Sequence, residues 1–189
     1  MRGGSDTRFR WIVDPLDGTT NYAHGFPFFC VSIGLEVDGR LMLGVAYAPS
    51  LDELYVAEAG HGALLNDRPI QVSATTELSQ SLLATGFPYD RAQFPRALKS
   101  FEVMSLGSQA VRRAGSAVLD LCYVACGRLD GYWEHMVKPW DIAAGALMVL
   151  EAGGTVTATD GSSFRVEDGQ VLASNGLLHE SMLSTLAGL

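Results

Sequence analysis

Trp11-Ile-Val-Asp-Pro-Leu-Asp-Gly-Thr-Thr20 decides how the rest of the chain is read. The apolar run Phe9 to Val13 stops abruptly at Asp14-Pro15, the pattern of a buried strand that delivers side chains to a cleft. Asp14 and Asp17 flank Pro15-Leu16, a spacing that can point two carboxylates at one place while Pro15 stiffens the turn. An all-oxygen donor set of this kind suits a hard divalent cation, Mg²⁺ above all, with the Leu16 carbonyl between the two carboxylates as a further ligand. Gly18-Thr19-Thr20 can open a short helix whose unpaired N–H groups face the same place, so an anion would meet cations on one side and amides on the other. An isolated Asp-Pro-x-Asp-Gly, however, more often marks an Asp-Pro turn followed by an Asp helix cap. The segment alone is therefore only moderately specific.

Downstream, Phe28 to Val37, Leu41 to Ala48 and Glu53 to Ala59 are β-rich runs separated by Asp38-Gly39-Arg40 and Pro49-Ser-Leu-Asp52, which predicts an antiparallel meander. Turns at Gly60-His-Gly62 and Asn66-Asp-Arg-Pro69 suggest a further short hairpin. From Ser73 strands alternate with helical periods. Strands are expected at Ser81 to Thr85, Ala110 to Arg113, Leu129 to Trp133, Thr155 to Thr159 and Val171 to Ala173. Helices are expected within Arg91 to Leu106, from Ser116, over Pro139 to Ala152, and from about Leu177. No repeat, low-complexity tract or linker interrupts this order. Residues 1–72 and 73–189 are accordingly expected to form two lobes of one compact unit.

The 189 residues carry a net charge of −8, with Lys and Arg scattered rather than gathered into a stripe, which excludes the electrostatic footprint of a nucleic-acid binder. Apolar stretches are broken by Gly, Asp or Pro well before the ~20 residues of a membrane span. No signal peptide is indicated, so the expected location is cytoplasmic, without membrane partners. Of the three cysteines, Cys122 and Cys126 share one helical face with Leu119 and Tyr123, the pattern of buried free thiols rather than metal ligands. His24 and His61 stand beside glycines in expected loops and receive no role. Arg112-Arg113 could contact a ligand, local carboxylates or a partner subunit.

A third carboxylate stands in Lys138-Pro-Trp-Asp-Ile-Ala-Ala-Gly145, where Pro139 suits a first helical turn and Asp141 the helix N-terminus. By itself it could merely complement the helix dipole, worth ~0.3–1 kcal/mol. Nothing in the spacing links positions 14 and 141.

Resemblance supplies that link. Trp11 to Asn21, Gly115-Ser-Ala117, Gly131-Tyr-Trp-Glu134, Pro139-Trp-Asp-Ile-Ala-Ala-Gly145 and Glu151-Ala-Gly-Gly154 closely resemble the inositol monophosphatase family, in the family's order and over essentially the whole chain. The resemblance implies an α/β (α+β) fold, a layered α-β-α-β-α sandwich, here without its first helical layer and opening hairpin. It implies that Asp14, Asp17, Asp141 and the Leu16 carbonyl ligate Mg²⁺, with Asp14 bridging two ions. It further implies that Gly18 and Thr19 hold phosphate through backbone amides, and that the Thr19 hydroxyl orients the attacking water. Gly115, Ser116 and Ala117 match the loop that lines the sugar pocket, Glu134 the carboxylate that accepts hydrogen bonds from substrate hydroxyls, and Asp141 serves substrate as well as metal. The implied activity is Mg²⁺-dependent hydrolysis of a phosphate monoester of a small polyol, inositol monophosphate foremost, by two-metal activation of water. Fructose 1,6-bisphosphate, histidinol phosphate or a 3′-phosphonucleotide are alternative substrates, and a homodimer is the family's usual assembly.

Family members carry further helices, a hairpin and a metal-binding glutamate upstream of the Asp-Pro-x-Asp motif, whereas the ten residues before Trp11 include no glutamate. The expectation is an N-terminally truncated chain that holds two ions, with a third depending on that glutamate, and that leaves apolar sheet surface uncovered. A catalytically impaired binding or regulatory protein is the competing expectation.

Overall fold

A computed structural model describes residues 8–88 and 90–188. The expected meander is present as an antiparallel sheet in strict sequence order: β1 (Phe9–Asp17), β2 (Cys30–Val37), β3 (Arg40–Ala48), β4 (Glu53–Glu58), β5 (Gly62–Leu65) and β6 (Arg68–Pro69). A short helix, α1 (Thr19–Ala23), follows β1 directly. The second sheet is mixed. It contains β7 (Leu82–Thr85), β8 (Ala110–Arg112), β9 (Gly131–His135), β10 (Thr155–Thr157) and β11 (Gln170–Ser174) in the spatial order β10-β11-β9-β7-β8. Pairings of β7 with β8 and β9 are parallel, and the others are antiparallel.

Two helices fill the space between the sheets: α3 (Ala117–Ala125) and α4 (Pro139–Glu151). From Ile142 to Val149 every residue of α4 is buried, as expected of a helix that is apolar all round and packed on all sides. Its Ala-Ala-Gly run permits that burial. A Cβ on Gly44 of β3 would stand 2.8 Å from the Ala144 carbonyl oxygen, and one on Gly145 would stand 2.6 Å from Leu121 Cβ on α3. Small residues on both sides thus let sheet, helix and helix approach closely. Helices α2 (Phe94–Gly107) and α5 (His179–Ala187) cover the far side of the mixed sheet, against β8 and β11 respectively. Among the described residues no helix is long and apolar enough to cross a membrane.

The reading of Phe9 to Val13 as a buried strand is corrected. Ile12 is 5% exposed, but Phe9, Trp11 and Val13 are 57%, 61% and 48% exposed. Alternation explains this: Ile12 faces α4, while its neighbours point to the opposite side, which no described element covers. Nor does the strand end at Asp14. Pairing with β2 resumes at Asp17 after an irregularity, so Pro15-Leu16 forms a bulge within β1 rather than a turn beyond it. Cys122 is buried as expected, whereas Cys126 is half-buried and caps α3.

Candidate active site

The bulge brings the first two aspartates together. Asp14 pairs with Ser32 and Asp17 with Cys30, so β1 spends three residues where β2 spends two. In a regular strand, residues three apart point to opposite faces. The extra residue reverses the alternation, and both carboxylates share the inward face with Ser32 and Cys30. Pro15 suits this position because a bulged residue need not donate to the ladder.

Asp141 arrives from the other direction, at the third position of α4, where it accepts a hydrogen bond from the Lys138 backbone N–H at 2.9 Å. Close packing of α4 against the first sheet then places its N-terminus beside β1. One carboxylate oxygen from each of Asp14, Asp17 and Asp141 falls within 4.8 Å of the other two.

Each carboxylate is held through one oxygen. Asp14 Oδ1 accepts the Leu16 N–H at 2.9 Å. Asp17 Oδ2 accepts the Ser116 hydroxyl at 2.5 Å and the Val118 N–H at 2.9 Å. Asp141 Oδ2 accepts from Lys138. The remaining oxygens, Asp14 Oδ2, Asp17 Oδ1 and Asp141 Oδ1, have no hydrogen-bond partner among the described residues. Burial pushes the Asp17 carboxyl up to about 7, with Asp141 and Asp14 adding repulsion against the pull of Ser116 and Val118. Burial also raises Asp141, with Asp14 adding to it. Three mutually repelling, oxygen-only donors with one free oxygen each fit a hard divalent cation.

A cavity of about 360 Å³ opens beside the cluster. Asp17, Thr19, Gly115, Ser116, Ala117, Glu134 and Asp141 line it, while Asp14, Leu16 and Gly18 do not. Asp14 belongs to the site through the carboxylate cluster. The Leu16 carbonyl accepts the Thr19 hydroxyl at 2.9 Å, which fixes that side chain at the first position of α1. Gly18 adopts φ +84°, and a Cβ there would lie 2.8 Å from the Phe28 carbonyl oxygen. Ser116 is 1% exposed and its hydroxyl is committed to Asp17 and to capping α3, so it lines the cavity without offering a free polar group.

Glu134 stands across the cavity on β9, its carboxyl pushed up to about 7 by burial, although the Tyr132 hydroxyl and the Arg113 guanidinium pull the other way. Of the Arg112-Arg113 pair, Arg113 lines the cavity, its guanidinium 5.8 Å from the centre of the Phe87 ring. Asp120 also lines it, 2% exposed, with its carboxyl raised by burial and by Asp17 and Glu134. Sequence reasoning missed Asp120, Lys138, Asn21, Gly86 and Met136 as lining residues. Asp120 had a signal, since a charge inside the apolar helical run Val118 to Val124 is expensive to bury without a purpose. Asn21 ties α1 to the cavity loop by donating to the Phe28 and Ala114 carbonyls at 2.7 and 2.8 Å.

A sequence model of the inositol monophosphatase family matches residues 2–188. The chain belongs to the inositol monophosphatase family. It is similar to an inositol-1-monophosphatase of Synechocystis, 50% identical over 186 residues that cover 98% of this chain and 65% of that protein. Among solved structures, an inositol monophosphatase from Anabaena superposes with a TM-score of 0.96 at 50% identity, covering 99% of this chain and 75% of that one. The extragenic suppressor protein SuhB of Bartonella henselae superposes with a TM-score of 0.92 at 45% identity, covering 97% and 70%. The chain thus spans about two thirds of the length of the inositol monophosphatase from Synechocystis. The fold is that of the inositol monophosphatase family throughout the matched region.

Proposed function

We propose that this protein hydrolyses a phosphate monoester of a small polyol, inositol monophosphate foremost, with Mg²⁺ as cofactor. The observation that carries this reading is the convergence of Asp14, Asp17 and Asp141 beside the cavity that Glu134 lines. The free oxygens of the three aspartates and the Leu16 carbonyl would hold the ions. Bound there, Mg²⁺ supplies neutralisation of phosphate charge and activation of water.

The chain's own residues do the rest. Thr19, anchored by donating its hydroxyl to the Leu16 carbonyl, keeps oxygen lone pairs able to accept a hydrogen bond from water and so to orient it. The backbone amides of Gly18 and Thr19 hold phosphate. Glu134 accepts hydrogen bonds from substrate hydroxyls, and Arg113 and Lys138 add cationic charge to the lining of the same cavity. Phosphoryl transfer needs little beyond such positioning and charge balance. A division into lobes near residue 72 is supported by the first sheet ending at Pro69 and the second beginning at Leu82.

The test is phosphate release from inositol 1-phosphate with Mg²⁺, by this chain and by a version extended to the full length of its relatives. Release that is lost in Asp141→Asn supports the reading. No release from any sugar phosphate by either version overturns it.

A further inference from the structure

The carboxyl group of Glu134 occupies the place where a side chain at position 86 would be. A Cβ built on Gly86 would stand 2.1 Å from Glu134 Oε2, closer than any real Cβ contact, and Gly86 also lines the cavity. Strand register produces this meeting: β7 runs parallel to β9 with Ala84 opposite Tyr132 and Thr85 opposite Trp133, so the next step sets Gly86 beside Glu134. The Thr85 hydroxyl locks that register by donating to the Trp133 carbonyl at 2.6 Å. From below, the fully buried Tyr132, two residues back on the same face of β9, donates its hydroxyl to Glu134 Oε2. Oε1 has no hydrogen-bond partner among the described residues.

We propose that Gly86 and Tyr132 are positioning residues that set the selectivity of this cavity for hydroxyl-bearing phosphate esters. Gly86 leaves the space the carboxyl group needs, and Tyr132 holds Oε2 so that Oε1 is left for a substrate hydroxyl. The proposal rests on the reading of Glu134 as the acceptor of substrate hydroxyls. A carboxylate that is free to swing away offers its acceptor in the wrong place, and a site built around a hydroxyl discriminates only while its polar groups are held in position. The atoms a methyl at position 86 would meet first all belong to the end of the Glu134 side chain, so that carboxyl group is what must shift.

Gly86→Ala and Tyr132→Phe are compared with the wild type for kcat/KM on inositol 1-phosphate and on phenyl phosphate, which has no hydroxyl to bind. The expected result is a fall of about tenfold in the ratio of the two in each variant, carried by KM for the inositol ester. In a Glu134→Gln background the added Gly86→Ala should lower the ratio no further, because the group it acts through is already impaired. Where turnover is too slow, the same ratio is read from dissociation constants in Mg²⁺. Folded variants that keep the wild-type ratio overturn the roles of Gly86 and Tyr132. A wild type that treats both esters alike, as Glu134→Gln would, overturns instead the reading of Glu134.

Discussion

Ser116 donates its hydroxyl to Asp17 at 2.5 Å across 99 positions of sequence, and the same hydroxyl oxygen accepts the Leu119 N–H as the cap of α3. One buried group therefore joins the β1 bulge to the helix layer and orients a candidate metal ligand. Ser116→Ala should weaken Mg²⁺ binding by about 10–100-fold, the usual cost of losing a partner behind a ligand. Losing the cap should also cost about 1 kcal/mol of stability. Calorimetric titration with Mg²⁺, alongside thermal unfolding, separates the two effects.

Metal-free protein should lose stability as pH rises from about 4 to about 7. The Asp17 and Glu134 carboxyls are each pushed up to about 7 from ordinary values of 3.8 and 4.5. Between those limits the folded state holds carboxyl protons that the unfolded state has released, which lowers stability with increasing pH by up to about 1.4 kcal/mol per unit for each group until about 7. His135, lowered by burial from 6.5 to about 4, works the other way below 6.5 and offsets about one of the two, so the net fall is steepest between about 6 and 7. Thermal midpoints in chelator between pH 5 and 8 measure this. Added Mg²⁺ should raise the midpoint most at the alkaline end, where the carboxylates are already ionised. A midpoint that rises with pH in chelator would contradict the arrangement described here.

Much of the fold is legible in the residues, for reasons that differ along the chain. The meander from Cys30 to Glu58 announces itself through alternation and turn residues, and α4 through Pro139 at its start and Gly153-Gly154 after its end. What the sequence hides is convergence. Asp14 and Asp141 meet only because Gly44 and Ala144 let helix and sheet approach, a contact with no local signature. The β1 bulge looks like a turn because Asp-Pro serves both, and the outward side of β1 looks buried because an apolar run carries no record of which side is covered. Gly86 is unreadable for a similar reason, since its lack of a side chain matters only once Glu134 is beside it.

Met136 occupies left-handed backbone at φ +65° between β9 and α4, at the rim of the cavity and 56% exposed. An L side chain there costs roughly 1–2 kcal/mol, and little burial offsets it. Met136→Gly should therefore stabilise the protein by about 1 kcal/mol, seen as a rise of about 2–4 °C in thermal midpoint. Glycine also frees the link that carries Glu134 toward Asp141, so a loss of activity accompanying the gain in stability would show that the strain serves the site.

The outward face of the first sheet is apolar across several strands. Trp11 pairs with Leu35, Leu35 with Leu43, Val13 with Ile33, Ile33 with Val45, and Val45 with Val56, so these side chains form one continuous surface with Phe9 at its edge. No described element covers it, and an apolar patch that spans four strands is large enough to drive association. The chain should self-associate at micromolar concentration, as measured by light scattering against dilution. Trp11→Lys should shift that equilibrium toward the monomer, because a charge placed within an apolar contact must be desolvated. The substitution lies on the face of β1 opposite Asp14 and Asp17, so Mg²⁺ titration should give the same affinity in the monomeric variant. If Trp11→Lys instead leaves the scattering unchanged, association runs through a different surface and this face is stable in water as it stands.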